Sequence, residues 1–194
     1  MPGSFNGVLF IQTGGTIDKE YPKTIGGYNF EIGEPAVCRI VTKVKPSVGF
    51  DYDITSICRK DSQEINNSDR ESLAKCILEA RQTKIIVTHG TDTIIETAKF
   101  VQSYLKSKDR IGPKHIIFVG SFLPERFKDS DADLNIGTAL GALEVLQMRS
   151  GKEDIEGEGA HRIYIALGGR TIPVEKATRN STTGLFCHVE EINS

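Results

Sequence analysis

Five short apolar runs, rich in β-branched and aromatic residues, punctuate the chain: Val8–Gln12, Ile54–Cys58, Lys84–Thr88, His115–Val119 and Arg162–Leu167. Three of them contain almost unbroken apolar stretches (VLFI, KIIV and HIIFV). A strand with one face in water alternates, whereas a strand covered on both faces does not, so these three read as buried strands. Between the runs the spacing turns helical. Ser68-Asp69-Arg70-Glu71 has the form of a capping box and precedes apolar Leu73, Ala74, Ile77 and Leu78. Asp92–Lys106 carries Ile95, Ala98, Val101, Tyr104 and Leu105, and Asp131–Met148 carries Leu134, Ala139, Leu140, Leu143 and Leu146. A shorter helix is expected over Glu34–Val44. Strands alternating with helices predict an α/β fold of three layers, a mainly parallel sheet with helices on both faces, as in flavodoxin-like or Rossmann-like domains.

Two stretches break the pattern. Asp18–Glu31 contains Tyr21, Pro22, Gly26, Gly27 and Tyr28 and reads as a flexible loop or hairpin. Ser150–His161 is acidic, glycine-rich and almost free of large apolar residues, which suits a solvated loop before the last central strand. No repeat or linker divides the chain, so residues 1–194 are expected to form one domain. A chain of this length buries about 70% of its unfolded surface and needs neither disulfide nor metal to hold a core.

Composition narrows the function classes. Hydrophobic residues at 38% and charged residues at 26% suit a folded, soluble protein. No apolar run approaches the ~20 residues of a membrane span, and the first residues lack a basic signal region, so a cytoplasmic location is the expectation. A net charge of −2 gives no broad attraction to nucleic acid or anionic membranes. Cys38, Cys58, Cys76 and Cys187 form neither a CxxC pair nor a zinc-ligand spacing, and are expected to be reduced thiols with no metal bound. Cys58 and Cys76 sit in apolar stretches and read as small buried hydrophobes.

Open parallel sheets bind ligands beyond the carboxyl ends of their strands. The segments at those ends are Thr13-Gly14-Gly15-Thr16-Ile17, Asp61-Ser62-Gln63-Glu64, His89-Gly90-Thr91-Asp92-Thr93, Gly120-Ser121-Phe122-Leu123-Pro124 and Gly168-Gly169-Arg170-Thr171, the last leading to Lys176. Hydroxyls, amides, a carboxylate and a lysine therefore gather at one edge. The spacings of a dinucleotide fingerprint and of a Walker loop are both absent, which argues against phosphate binding. A threonine hydroxyl attacks only beside a base or a strong field. Asp92 stands where a helix begins, as a cap or as a receptor for a ligand ammonium group. Lys176 is either a solvated charge or, if buried near the threonines, a group able to deprotonate a hydroxyl. His89 follows an apolar strand directly and reads as a structural, hydrogen-bonded histidine.

TGGTI, DSQEIN and HGTDT, in that order, resemble the bacterial-type L-asparaginase/glutaminase family, and VGSFLP followed by SDADLN looks like its next segment. The resemblance runs from about Val8 to Phe186. It implies that Thr16 is the nucleophile and that a loop tyrosine, Tyr28 with Tyr21 as the alternative, lies close to it. It places the substrate α-carboxylate and α-amino group on Ser62 and Gln63, and the α-ammonium on Asp92. Thr91 would act with a lysine, matched most closely by Lys176, to activate a nucleophile. The implied reaction is hydrolysis of L-asparagine to L-aspartate and ammonia through an acyl-enzyme, with L-glutamine as a second candidate substrate and without cofactor or metal.

The resemblance has departures. Full-length members continue into a smaller C-terminal α/β domain that supports the dimer and lends an acidic residue to the neighbouring site, whereas this chain stops at Ser194. The expectation is a short member with the N-terminal domain alone, or part of a longer protein, assembling as a homodimer or higher homo-oligomer. Spacing around Pro173 differs from the family pattern, and Glu64 stands where many members carry aspartate. Two other readings remain beside the hydrolase: a non-catalytic amino-acid-binding relative, and an amidotransferase subunit that supplies ammonia to a partner.

Overall fold

A computed structural model describes residues 7–22, 29–47, 49–108, 114–149 and 161–192. Tyr28 and most of the expected acidic loop, 150–160, lie outside the described residues. The chain forms β1 (Val8–Gly14), β2 (Lys19–Glu20), β3 (Glu31–Ile32), α1 (Ala36–Val44), β4 (Tyr52–Lys60), α2 (Asn67–Glu79), β5 (Lys84–Thr88), α3 (Ile94–Lys106), β6 (Lys114–Val119), α4 (Ala132–Arg149), β7 (His161–Leu167), β8 (Arg170–Pro173), β9 (Ala177–Arg179) and β10 (Phe186–His188). Six strands make the main sheet in the order β4-β1-β5-β6-β7-β8, and the first five are parallel. This is the mainly parallel, helix-covered sheet expected from the hydrophobic pattern.

Side chains of the central strands alternate between two cores. Leu9 and Ile11, Ile85 and Val87, and Ile116 and Phe118 pack with Leu73, Ile77, Val101 and Leu105 of α2 and α3. Val8 and Phe10, Ile86, and Ile117 and Val119 pack with Val37, Ile40 and Val41 of α1 and Ile136 and Leu143 of α4. Every residue of β1, β5 and β6 is buried, which is why their sequences lose polar alternation. β4, at the sheet edge, mixes half-buried and exposed positions and extends beyond the apolar run Ile54–Cys58 at both ends.

Local hydrogen bonds adjust the predicted boundaries. The cap of α2 is Asn66, two residues before the expected Ser68. Its side chain accepts from Ser68 N at 2.9 Å and Asp69 N at 3.2 Å, and Asp69 accepts in return from Asn66 N at 3.0 Å. Asp69 also pairs with Lys60 at 2.8 Å, which fixes the helix start to the end of β4. α1 has no side-chain cap at Pro35; the carboxylate of Asp18 accepts from Ala36 N at 2.7 Å instead. The stretch expected as loop or hairpin has a hairpin stem, with Lys19 opposite Ile32 and Glu20 opposite Glu31.

β7 turns through Gly168-Gly169 into antiparallel β8, a short return that the parallel pattern did not foretell. Buried Asn135 of α4 donates to Gly120 O at 3.0 Å and accepts from Gly168 N at 2.9 Å, tying the ends of β6 and β7 together. Asp131 accepts from Phe122 N at 3.0 Å and Leu123 N at 3.2 Å and so shapes the loop after β6. Among the described residues no helix is long and apolar enough to cross a membrane.

Candidate functional site

The loops after β1, β4 and β5 meet backbone to backbone. Gly15 has φ +84°, in the region that favours glycine, and a Cβ on it would overlap the backbone of Gly90. A Cβ on Gly90 would in turn stand 2.7 Å from Ser62 Oγ. Only hydrogen at these two positions lets the TGGTI, DSQE and HGTD segments approach so closely. Thr16, half-buried, opens a single 3-10 turn directly after Gly15, and Ser62 is buried across the junction. Gly120, after β6, lies against His89 and Thr91. Thr16, Ser62 and the Thr91–Asp92 pair are thus carried by loops in mutual contact at the carboxyl edge.

Hydrogen bonds stiffen that junction. Thr13 donates to Thr88 O at 2.8 Å, across β1 and β5. Thr93, at the start of α3, donates its hydroxyl to Ser62 O at 2.7 Å rather than capping its own helix. The short turn Ser62–Glu64 is closed by a capping box between Asp61 and Glu64. Lys19, hydrogen-bonded to Asp61 at 2.9 Å, holds that carboxyl below its ordinary range despite partial burial.

Asp92 does not cap α3. One carboxylate oxygen accepts from Gln63 Nε2 at 2.8 Å and the other from Arg179 Nη1 at 3.1 Å. Arg179 is held in turn. Its Nε donates to Gly184 O at 2.8 Å, and its guanidinium carbon lies 5.8 Å from the Phe122 ring centre and 5.7 Å from that of Phe186. The turn that presents Gly184 is closed by Asn180, whose side chain accepts from Thr182 N and Thr183 N, both at 2.9 Å. Lys176 has a different setting. It follows β8, its side chain is 58% exposed, and its ammonium pairs with Glu190 at 3.8 Å. The structure therefore brings together Thr16, Ser62, Gln63, Thr91 and Asp92 of the expected set, and supplies Arg179 as the cation on Asp92.

The antiparallel return explains why Arg179 was missed. β8 runs back from the carboxyl edge as far as the level of Tyr164, and Val174 N then bonds Ile163 O. Lys176 follows that low point directly. Only at the end of β9, at Arg179, does the chain regain the edge. The Gly-Gly pair between two β-prone runs was the available signal for the reversal. Of the tyrosines, Tyr21 is 67% exposed, packs at a tilt on Phe30 at a centroid distance of 5.0 Å and stacks on Phe127 at 6.5 Å.

Two buried titratable groups flank the junction with opposite perturbations. Burial pushes the Asp18 carboxyl up to about 7, offset in part by the bonds from Ala36 N and Gln12. Burial pushes the His89 imidazole down to about 4, and its Nδ1 lies 2.8 Å from Gly90 O. A carbonyl only accepts, so Nδ1 carries the proton and the ring is neutral, in keeping with a structural histidine. Cys58 donates to Thr13 O at 3.3 Å, and burial lifts its thiol to about 11. All four cysteines are free; Cys58 and Cys76 are half-buried, Cys38 is exposed and Cys187 is buried. Among the described residues no cluster of three or more His, Cys, Asp or Glu side chains is placed to hold a metal ion.

Known proteins resemble this chain in sequence and fold. The sequence profile described as Asparaginase, N-terminal, matches residues 7–184. The chain is 28% identical over 135 residues to the L-asparaginase of Thermococcus kodakarensis, covering 69% of this chain and 39% of that protein. It is 27% identical over 158 residues to the glutaminase-asparaginase of Pseudomonas fluorescens biotype A, covering 78% of this chain and 40% of the relative. The solved structure of the thermostable L-asparaginase from Thermococcus kodakarensis superposes with a TM-score of 0.72 at 26% identity, covering 94% of this chain and 51% of that one. The chain thus spans well under two thirds of the length of these relatives.

Proposed function

Because the chain belongs to the asparaginase family, matching its N-terminal domain, we propose that it hydrolyses the side-chain carboxamide of an asparagine-type substrate and releases ammonia. The observation that supports this reading is the glycine-to-glycine contact of Gly15 with Gly90, which packs the loop bearing Thr16 against the loops bearing Ser62 and the Thr91–Asp92 pair. In the proposed reaction Thr16 Oγ attacks the amide carbon. The C–N bond breaks, the hydroxyl proton ends on the leaving nitrogen, and ammonia departs from an ester on Thr16. Water then cleaves the ester, restoring the hydroxyl and leaving a carboxylic acid. The backbone N–H of Thr91 is assigned to the oxyanion.

Ser62 and Gln63 form the polar wall that orients the substrate head group, and Thr91 relays the proton. The positive charge nearest the Thr91–Asp92 pair is assigned to Arg179. An arginine keeps its proton, so it supplies field and geometry and not a base. Lys176, exposed and paired with Glu190, is left outside the reacting centre. Tyr21, or Tyr28 of the expected loop, is the candidate to cover Thr16 when substrate is bound.

The test is ammonia release by the purified chain from L-asparagine, L-glutamine and their deaminated counterparts succinamate and glutaramate, with Thr16→Ala in parallel. Release that falls at least about a thousandfold in the variant, with its melting temperature kept, supports the proposal. A folded wild-type chain that releases no ammonia from any of the four overturns it.

A further inference from the structure

Both oxygens of Asp92 are already engaged. Gln63 donates to one and Arg179 to the other. Arg179 is not a loose surface side chain that a ligand displaces without cost. Its Nε is bonded to Gly184 O, and its guanidinium packs over the neighbouring rings of Phe122 and Phe186. An incoming ammonium group would meet a neutralised carboxylate and a fixed positive charge beside it. A carboxylate would meet the opposite situation: a planar guanidinium, oriented by three sets of contacts, with N–H donors left over for a charge-assisted bond.

From this geometry we propose that Arg179 determines the specificity of the site, selecting ω-amides that carry a carboxylate but no free α-ammonium group. The proposal rests on the hydrolase reading above and narrows its substrate class. Asp92 becomes a positioning residue, holding Arg179 and Gln63 in place, while Arg179 and Ser62 face the substrate carboxylate. Phe122 and Phe186 back the guanidinium and also line a neighbouring cavity of about 260 Å³.

The experiment compares kcat/KM for succinamate and L-asparagine in the wild-type chain, Arg179→Gln and Arg179→Lys. Calorimetric binding of the corresponding products, succinate and L-aspartate, is measured on the same proteins. The wild type is expected to favour succinamate, and succinate, by about tenfold or more, the scale of one unfavourable charge contact. Arg179→Gln is expected to swing the ratio toward the amino acid by about a hundredfold, with Arg179→Lys between them. A wild-type preference for L-asparagine overturns the proposal without need of any variant, and so does a ratio that Arg179→Gln leaves unchanged. Ammonia from neither amide overturns the hydrolase reading instead. Product binding then decides: tighter succinate, lost in Arg179→Gln, upholds the specificity, whereas equal or tighter L-aspartate, or no binding of either, overturns it.

Discussion

Asp18 and Asp92 stand on adjoining loops of the same edge, yet they are handled in opposite ways. Asp18 is fully buried and its hydrogen-bond partners are neutral: Ala36 N at 2.7 Å, Thr88 at 3.5 Å and Gln12. Asp92 is exposed and holds a guanidinium and an amide. Burial without a partner cation raises the cost of ionisation, so Asp18 serves best as a structural acid that caps α1 from a distance. Asp92, at the surface, instead anchors the side chains of Gln63 and Arg179. Two aspartates on adjoining loops are therefore set apart by burial and partner choice alone.

That division can be tested first through pH. Folded Asp18 retains a proton that the unfolded chain releases near pH 3.8, so the native state binds more protons between there and about pH 7, and the Asp18 contribution to stability falls across that window. His89 acts in the opposite direction. Its folded value of about 4 against 6.5 unfolded makes its contribution rise with pH over that range. Asp18→Asn is expected to remove the first slope, worth on the order of 4 kcal/mol, and unmask the second, so that stability climbs from pH 4 to 6.5. Denaturant titrations at several pH values check this, and a variant that tracks the wild type at every pH would return Asp18 to ordinary carboxylate behaviour.

Asp92→Asn should show the converse. Turnover is expected to drop by about a hundredfold in kcat/KM, because Arg179 and Gln63 lose their common anchor, while stability changes by about 1 kcal/mol or less, as for an exposed pair. Ammonia assays and thermal melts on the same preparation separate the two effects. The smallest effect is expected at Lys176→Ala, with turnover within about threefold of wild type, since an exposed ion pair with Glu190 contributes little. A severe loss there would restore Lys176 to the reacting centre and weaken the case for Arg179.

The fold was legible where burial left a pattern. VLFI, KIIV and HIIFV became the fully covered strands, and the helical spacings between them found α1 to α4 within a few residues, because sheet and helix periodicities are local. The cap at Asn66 was misplaced because Asn66-x-x-Asp69 and Ser68-x-x-Glu71 compete on near-equal terms, and Lys60, nine residues before Asp69 in sequence but paired with it in space, decides between them. At the candidate site, Thr16, Ser62, Gln63, Thr91 and Asp92 were legible because each follows its strand directly. Arg179 was not, because its position depends on a reversal and two short strands, and distance along the chain then says little about height on the sheet. Asp18 was likewise hidden, since its partner amide at Ala36 lies across the stem of a hairpin.

The side-chain amide of Asn135 has a consequence for how this edge can be remodelled. One end holds the first carbonyl past β6 and the other the first amide past β7, so the mouths of two neighbouring loops share a single rivet. The loop bearing Phe122 and the hairpin that leads toward Arg179 are consequently not independent modules. Lengthening or grafting either one without an equivalent donor and acceptor would open the seam between β6 and β7, and the floor beneath the aromatic rings would go with it.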